Sequence, residues 1–255
     1  MNILVCVKRV PDTGAKLLLS EDERSVDTRR LGFTISPHEE CAVEEAVQII
    51  EREGGEGVVL TLGPSEAEEQ LLDSLARGMD RAILLEIEGE EWDPQRTADA
   101  IVGSVRREAD AGHAYDLIMF GNESADSGGF QIGVRVAHAL GLPCVTGIKG
   151  IDISGGTLEA KREIAAGWEV YEVPLPAVVT TKEGLNLPRF PSLRGTMGAK
   201  KKPFDRSSPS HDEGGLRLQR LSQPPDQGKE VEILGEGPAA APRIVELLEK
   251  LELLG

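Results

Sequence analysis

The chain has 255 residues, of which 40% are hydrophobic and 28% charged, and its formal net charge is -16. This length suits one large α/β domain with an appendage. No apolar run approaches the ~20 residues that cross a bilayer, so we expect no membrane insertion. The acidic balance disfavours nucleic-acid binding, because neutralising phosphates requires a broad basic face.

Cysteine usage and missing motifs narrow the class of protein further. Cys6, Cys41 and Cys144 lie far apart in apolar stretches without CxxC spacing, which predicts reduced thiols in a cytoplasmic protein. The first strand-like run begins at Asn2, so we expect no signal or transit segment ahead of the fold. No Ser-His-Asp order, zinc spacing or pair of catalytic carboxylates stands out. The sequence thus favours a binding or carrier subunit, with no catalytic residue and no metal.

Strands and helices alternate through the first 140 residues. Continuous apolar runs predict buried strands at 2–7, 57–62, 82–87 and 116–120. Apolar residues at helical spacing predict helices at 37–53, 65–77, 94–109 and up to about 140. Four strand–helix pairs in succession imply parallel strands with right-handed crossovers. We therefore predict an α/β fold with an open, mostly parallel sheet and helices on both faces.

Two of these helix starts have the pattern of a capping box. Ser36 is followed by Pro37 and, three residues after the cap, by Glu39. Ser65 and Glu68 repeat the spacing ahead of the second helix. Both starts follow predicted strands, and ligands of such sheets sit outside the carboxyl ends of the strands.

The pattern changes after residue 144. Short runs at 145–148, 158–164 and 168–173 predict an antiparallel extension, and 177–180 a further buried strand. Residues 204–240 lack periodicity and predict an extended arm. A last amphipathic helix is predicted at 244–254. It packs either on this body or on a partner subunit.

A glycine-rich segment follows the fourth strand. Residues 121–133 read GNESADSGGFQIG and lead into a helix, a place where backbone N–H groups and the helix dipole favour an anion. Asp126 fits either a ribose hydroxyl or a helix cap. The segment matches neither GxGxxG nor a Walker loop. A structural turn therefore explains the glycines about as well as nucleotide binding does.

A basic segment interrupts the acidic chain near its end. Pro176 to Pro203 opens as a strand and continues as a proline-punctuated loop without period, with five basic residues and no acid from Arg189 to Lys202. Long loops of this kind are usually functional or disordered. It lacks the interleaved aromatics of a nucleic-acid site. A docking surface is the favoured interpretation, and a solvated basic run is the alternative.

Several of these segments together resemble the beta subunit of electron transfer flavoproteins. The resemblance spans nearly the whole chain. It rests on Val7 to Asp12, Ala42 to Ala46, Arg77 to Arg81, the glycine-rich segment, and above all Asn186 to Phe190 with Ala199 to Lys202. It implies an adenine-nucleotide alpha-hydrolase-like fold and an alpha subunit that holds most of one FAD. It also implies electron transfer from dehydrogenases, such as the acyl-CoA dehydrogenases of fatty acid beta-oxidation, to a membrane quinone reductase.

The resemblance further implies site residues. In the family the beta subunit buries a structural AMP, and the matching positions here are Cys6, Ser36, Pro37, His38, Glu39, Leu62, Gly121, Asn122, Glu123, Ser124, Ala125, Asp126, Ser127, Gly128, Gly129, Phe130, Gln131 and Ile132. The family recognises dehydrogenases with its basic loop, in which Leu193 matches an apolar anchor. The charged residues expected beside it are Arg189, Arg194, Lys200, Lys201 and Lys202. Such charges steer an acidic partner, while the anchor dominates the binding energy.

Departures from the family pattern leave alternatives open. Phe130 and Ile132 are apolar where AMP-binding members hydrogen-bond through side chains. Gln131-Ile132-Gly133 and Pro11-Asp12-Thr13 favour electron-bifurcating members, which hold a second FAD instead of AMP and oxidise NADH. Thr13 replaces an aromatic seen near the flavin in some members, and His38 falls where another flavin-side residue lies. Lys200 to Lys202 favour the AMP type.

The expected organisation has two parts. Residues 1–203 form a nucleotide-binding α/β domain that includes the recognition loop 176–203. Residues 204–255 form an arm and a terminal helix that pack on the alpha subunit. The remaining alternative is a stand-alone nucleotide-binding domain, whose last helix folds back on its own body.

Overall fold

A computed structural model describes residues 1–12, 14, 17–210, 215–225 and 232–254. The chain divides into two compact units, Met1–Gln219 and Arg220–Gly255. Among the described residues, the strands are β1 (Asn2–Cys6), β2 (Val10–Pro11), β3 (Phe33–Thr34), β4 (Glu56–Gly63), β5 (Arg81–Glu86), β6 (Leu117–Gly121), β7 (Cys144–Ser154), β8 (Thr157–Ile164), β9 (Gly167–Pro174), β10 (Ala177–Thr181) and β11 (Phe204–Ser207). All of them belong to the first unit.

One nine-stranded sheet organises the first unit. Its order is β11-β5-β4-β1-β6-β10-β7-β8-β9, and β2 pairs with β3 in a separate small antiparallel ladder. Neighbours from β11 to β7 are parallel, while β7, β8 and β9 pair antiparallel. The predicted open, mostly parallel sheet and its antiparallel extension are therefore confirmed.

The helices of the first unit cover both faces of this sheet. The first unit contains α1 (Pro37–Glu53), α2 (Glu68–Arg77), α3 (Pro94–Asp110), α4 (Ile132–Leu140) and α5 (Leu193–Ala199), and the second contains α6 (Ala241–Lys250). Side chains alternate along β1, so that Ile3 and Val5 pack in the cluster with α1 and α2, whereas Leu4 and Cys6 pack in the cluster with α3 and α4. None of the helices in the described ranges is long and apolar enough to cross a membrane.

The predicted capping box is confirmed at α1 and wrong at α2. The Ser36 hydroxyl accepts a hydrogen bond from the Glu39 N–H, and the Glu39 carboxylate accepts one from the Ser36 N–H. At the second site a 3-10 turn, Ser65–Ala67, precedes α2. Because Ser65 lies inside this tight turn, its hydroxyl donates to Glu66 at 3.2 Å instead of capping the helix.

The sequence interpretation of the recognition loop 176–203 missed a helix. The structure places α5 at Leu193–Ala199, where the Ser192 hydroxyl accepts from the Gly195 N–H at 3.0 Å. A Cβ on Gly195 would lie 2.2 Å from the Ala76 carbonyl oxygen of α2. The glycine that favoured a loop prediction is therefore required where the two helices approach closely.

From the sequence we expected an extended arm without core elements from residue 204 onward. This prediction was wrong for the first four residues. Residues 204–207 form β11, which pairs parallel with β5 and extends the sheet edge. This strand is short and mostly exposed, and Arg206 pairs with Glu86 and Glu68. A polar edge strand carries no apolar run, which explains why the sequence pattern did not reveal it.

Candidate functional site

A cleft opens where the chain order of the strands reverses. β4 and β5 follow β1 on one side of it, and the chain then crosses to β6 on the other side. In open α/β sheets such a switch point creates a crevice at the carboxyl ends of the strands. The cleft there has a volume of about 280 Å³. A single water needs only ~10–15 Å³, so the cleft is large enough for an organic ligand.

Most of the residues predicted to bind a nucleotide meet in this cleft. Those that line it are Cys6, Glu39, Leu62, Gly121, Asn122, Glu123, Ser124, Ser127, Gly129, Phe130, Gln131 and Ile132. They come from the ends of β1, β4 and β6, the first turn of α1, and the segment ahead of α4. The sequence motifs thus converge on one place, although they are separated by up to 126 positions of the chain.

The other predicted residues, Ser36, Pro37, His38, Ala125, Asp126 and Gly128, belong to the segments that border the cleft. Ser36 caps α1, and Pro37 is its first residue. The His38 Nδ1 accepts a hydrogen bond from the Glu183 N–H at 2.8 Å, and its Nε2 lies 3.3 Å from the Glu123 carboxylate. His38 therefore links the segment after β10 to the glycine-rich segment.

The buried carboxyl of Glu39 organises one wall of the cleft. It accepts hydrogen bonds from the backbone N–H groups of Ser36 (2.8 Å) and Lys8 (2.9 Å), which ties α1 to the end of β1. A Cβ on Gly121 would lie 2.6 Å from the Glu39 Cγ, so β6 ends where only glycine fits. Burial raises the pKa of Glu39 to about 8, although these hydrogen bonds oppose the shift.

The sequence interpretation did not assign a role to Lys8, which lies directly after β1. Its ammonium contacts the carboxylates of Glu91 (2.5 Å) and Asp126 (2.7 Å), and so joins two loops that flank the cleft. Burial alone would lower the pKa of Lys8, but the two carboxylates raise it above its ordinary value. Burial would raise the pKa of Asp126, but the charge and hydrogen bond of Lys8 hold it below its ordinary value. Asp126 is therefore held by a lysine, a contact that its place in the sequence did not indicate.

An apolar wall of the cleft was also missed. It comes from β4, from the segment between β5 and α3, and from α3 itself, and consists of Leu60, Ile87, Trp92 and Ile101. The only sequence signal for it is position, since residue 87 directly follows a strand and Trp92 directly precedes the cap of α3. Apolar walls with a few polar groups are typical of small-molecule sites.

The start of α4 offers the cleft unpaired backbone donors. Within the described chain, Gln131 at the N-cap makes no capping bond with its side chain, and its Oε1 instead accepts from Arg135 Nη2 at 2.9 Å. Gly128 and Phe130 both have φ of +55°, which turns the backbone just before the helix. The first N–H groups of a helix lack intrahelical partners and favour an anion.

The Cys6 thiol is buried and lines the cleft. Burial, with the nearby Glu39 carboxylate, raises its pKa far above the ordinary value, so the thiol stays protonated. A protonated, buried thiol packs as a small apolar group and is a poor nucleophile. Among the described residues, no group of three His, Cys, Asp or Glu side chains is placed to hold a metal ion. Thr13 lies outside the described residues.

A second candidate surface surrounds α5. Four apolar side chains there are strongly exposed: Leu187 (90%), Phe190 (92%), Leu193 (80%) and Met197 (70%). Exposed apolar clusters of this kind mark interaction sites. We call these four residues the apolar tip.

The six residues predicted for partner recognition divide into two groups. Leu193, Arg194, Lys200 and Lys201 are exposed to solvent. Lys202 donates to the carbonyls of Leu75 (2.9 Å) and Met79 (2.6 Å) at the end of α2. Arg189 pairs with two glutamates of α1. These last two cations are thus engaged within the chain.

The second unit carries its own apolar surface. In α6 and the residues after it, Ile244, Val245, Leu247, Leu251, Leu253 and Leu254 are between 38% and 67% exposed. The predicted amphipathic helix is confirmed, with slightly different bounds. Its exposed apolar residues mark a surface that suits a partner.

Comparison with known proteins gives one consistent result. The family description "Electron transfer flavoprotein domain" matches residues 24–212. "Electron transfer flavoprotein subunit beta" of Bacillus subtilis (strain 168) is 37% identical over 205 residues, which cover 80% of this chain and 78% of the relative. The protein of the same name from Syntrophomonas wolfei is 34% identical over 251 residues, or 98% and 96% of the two chains. That from Mycobacterium bovis is 35% identical over 214 residues, or 79% and 76%.

Proposed function

The chain belongs to the family of electron transfer flavoprotein beta subunits, and we therefore propose that it pairs with an alpha subunit to form an electron-carrying heterodimer. The alpha subunit holds most of one FAD, which supplies the redox chemistry when bound. The contribution of this chain is binding and recognition rather than catalysis. The exposed apolar residues of α6 and its C-terminal flank are the surface that we assign to the alpha subunit.

We propose that the cleft between the ends of β1 and β6 holds AMP in a structural role. The supporting observation is that an apolar wall and the uncapped start of α4 line the same cleft. The apolar wall suits a purine base, and the N–H groups ahead of α4 suit a monoester phosphate. All the polar residues matched to the AMP site lie in or beside this cleft, including Ser124, Ser127 and Asn122.

Two features connect the cleft to the flavin side of the heterodimer. His38 matches a flavin-side position, and its imidazole is held in place by the Glu183 N–H and the Glu123 carboxylate. A fixed imidazole is suited to hold an edge of the FAD that the alpha subunit carries. The same ring borders the glycine-rich segment, so nucleotide binding would stabilise its orientation.

We assign the apolar tip to the docking of flavin dehydrogenases, such as acyl-CoA dehydrogenases of fatty acid beta-oxidation. Leu193 is its anchor, and Arg194, Lys200 and Lys201 are the exposed cations that steer an acidic partner toward it. Electrons then pass to a quinone reductase at the membrane. We place the complex in the cytoplasm, where three free thiols remain reduced.

A second candidate function remains because of the residues at the start of α4. Phe130 and Ile132 offer apolar side chains where AMP-binding relatives have polar ones, and Gln131-Ile132-Gly133 matches bifurcating relatives. In that case a second FAD occupies the cleft, and the complex oxidises NADH. Anaerobic addition of NADH decides between the two: flavin bleaching supports bifurcation, and an unchanged flavin spectrum supports the simple carrier.

The proposed carrier function is tested by co-expressing the chain with an electron transfer flavoprotein alpha subunit from the same organism. We expect a heterodimer with bound FAD that is reduced by an acyl-CoA dehydrogenase and its acyl-CoA, but not by the acyl-CoA alone. A stable monomer that does not retain the alpha subunit would contradict the proposal. It would favour the stand-alone nucleotide-binding domain.

A further inference from the structure

Arg189 makes the densest set of contacts in the segment that carries the apolar tip. Its guanidinium donates to Glu44 from Nε (2.9 Å) and Nη2 (3.0 Å), and to Glu51 from Nη1 (2.6 Å) and Nη2 (2.9 Å). Its backbone N–H donates to the same Glu44 carboxylate at 3.0 Å. One side chain thus satisfies two carboxylates of α1, in the forked geometry that a guanidinium allows and an ammonium does not.

The glutamate partners differ in exposure. The Glu44 side chain is only 5% exposed, whereas that of Glu51 is 59% exposed. Burial would raise the pKa of Glu44, but hydrogen bonds from Arg189 and Gln48 hold it below its ordinary value. A buried carboxylate that lost Arg189 would keep only the contacts from Gln48 and the backbone. Arg189 is therefore required by the fold of this face, and its charge is already neutralised.

Neighbouring bonds attach the rest of the segment to the same face. The Asn186 amide donates to the Cys41 carbonyl (3.0 Å) and the Glu45 carboxylate (2.9 Å). Arg77 of α2 donates to the Arg189 carbonyl at 3.4 Å, and it pairs with Glu40 of α1 at 2.8 Å. Residues 186–189 are thus fixed on α1 and α2, whereas Leu187 and Phe190 point into solvent.

We propose that Arg189 is a positioning residue that holds the apolar tip in its docking conformation, rather than a docking charge. The proposal rests on the proposed function, because it concerns how the tip meets a dehydrogenase. A segment ordered before the encounter loses less conformational entropy on binding. Leu187 within this fixed segment and Phe190 directly after it give the partner a preformed apolar surface.

The two roles of Arg189 make opposite predictions for Glu51→Gln. If Arg189 is a docking charge, removing the nearby carboxylate leaves the surface more positive and speeds the encounter with an acidic dehydrogenase. If Arg189 positions the tip, Glu51→Gln removes the charge of this partner and one of the two oxygens that accept from Arg189, and it slows the reaction. Arg194→Gln is the matched control, since Arg194 is exposed and, within the described residues, shares no ion pair with an acid. It removes one positive charge from the same segment without disturbing these contacts.

The experiment uses the heterodimer with bound FAD and two readouts. The first is amide hydrogen exchange of residues 185–190. The second is the rate of reduction by medium-chain acyl-CoA dehydrogenase with octanoyl-CoA, at low and high salt. We expect Arg189→Gln to lower kcat/KM by about tenfold at both salt concentrations. This is the cost expected if one backbone residue that Arg189 normally fixes must instead be ordered when the dehydrogenase docks. Glu51→Gln should act in the same direction, and both should speed exchange.

The control variant should respond differently from Arg189→Gln in both readouts. Arg194→Gln should slow the reaction only at low salt and leave exchange unchanged, because screening removes a steering charge. Arg189→Lys should recover only part of the loss. Unchanged exchange in Arg189→Gln, or faster reduction of Glu51→Gln, would overturn the proposal. A wild-type complex that the dehydrogenase does not reduce would contradict the proposed function and the docking role. The exchange readout would still decide whether Arg189 fixes the segment.

Discussion

At the scale of single residues, the cleft depends on polar side chains whose partners the fold already supplies. Lys8 is bonded to Glu91 and Asp126, and Glu39 accepts two backbone hydrogen bonds. The arrangement at Lys8 does not follow from its place in the sequence, because its partners lie 83 and 118 positions away. In contrast, the bond from the Ser36 N–H to Glu39 follows from the capping-box spacing. The sequence could indicate that polar residues gather at the strand ends. It could not indicate which of them neutralise each other.

Glu39 makes the stability of the protein depend on pH. Its pKa is about 8 in the folded chain and 4.5 for a free glutamate, so the folded state binds more protons between these values. The free energy of unfolding should therefore fall as pH rises from about 4.5 to about 8, by at most ~1.4 kcal/mol per pH unit from this group. Urea unfolding at pH 5, 6, 7 and 8 measures this slope. Glu39→Gln should flatten it, while the exposed Glu172→Gln should not, and equal slopes for Glu39→Gln and wild type would refute the assignment.

The substitution Leu193→Ala tests whether the apolar tip docks a dehydrogenase. The Leu193 side chain is 80% exposed, so Leu193→Ala should leave the free energy of unfolding and the flavin content unchanged. Loss of a docking anchor typically costs 2 kcal/mol or more, so we expect kcat/KM with a reduced dehydrogenase to fall by about thirtyfold. Leu18→Ala, at a 49% exposed leucine elsewhere in the first unit, is the control and should have no effect. Loss of FAD from Leu193→Ala would instead indicate a structural role.

At the scale of elements, the buried runs were predictable and the polar or glycine-bearing ones were not. The strands around β1 show continuous apolar runs because both faces are covered. The capping box at Ser36 also predicted α1 correctly, since its spacing encodes two local hydrogen bonds. In contrast, α5 contains two glycines and β11 is mostly exposed, so neither has a periodic signal.

The two glycines of α5 provide a matched pair of substitutions. A Cβ at Gly195 would lie 2.2 Å from a carbonyl oxygen of α2, whereas a Cβ at Gly198 would meet nothing within 4 Å. Gly195→Ala should therefore destabilise the protein by about 1–3 kcal/mol through overpacking. Gly198→Ala should be neutral or stabilise it by up to ~1 kcal/mol, as expected for alanine in a helix. Chemical denaturation of both variants checks this, and equal effects would mean that α5 does not pack closely on α2.

At the scale of the whole molecule, the order of the strands explains why separate motifs form one site. Cys6, Leu62 and Gly121 lie at the carboxyl ends of three parallel strands, and the reversal of chain order between β1 and β6 opens a crevice beside them. This convergence was predictable from the alternation of strands and helices. The apolar wall at Trp92 was not, because it depends on how the segment between β5 and α3 folds over the cleft.

We propose above all that this cleft holds AMP while the alpha subunit holds FAD. The most direct measurement is to denature the purified heterodimer and quantify the released nucleotides by chromatography. We expect one AMP and one FAD per heterodimer. Two FAD and no AMP would contradict the claim and favour a bifurcating complex, and release of FAD alone at one per heterodimer would contradict nucleotide binding by this chain.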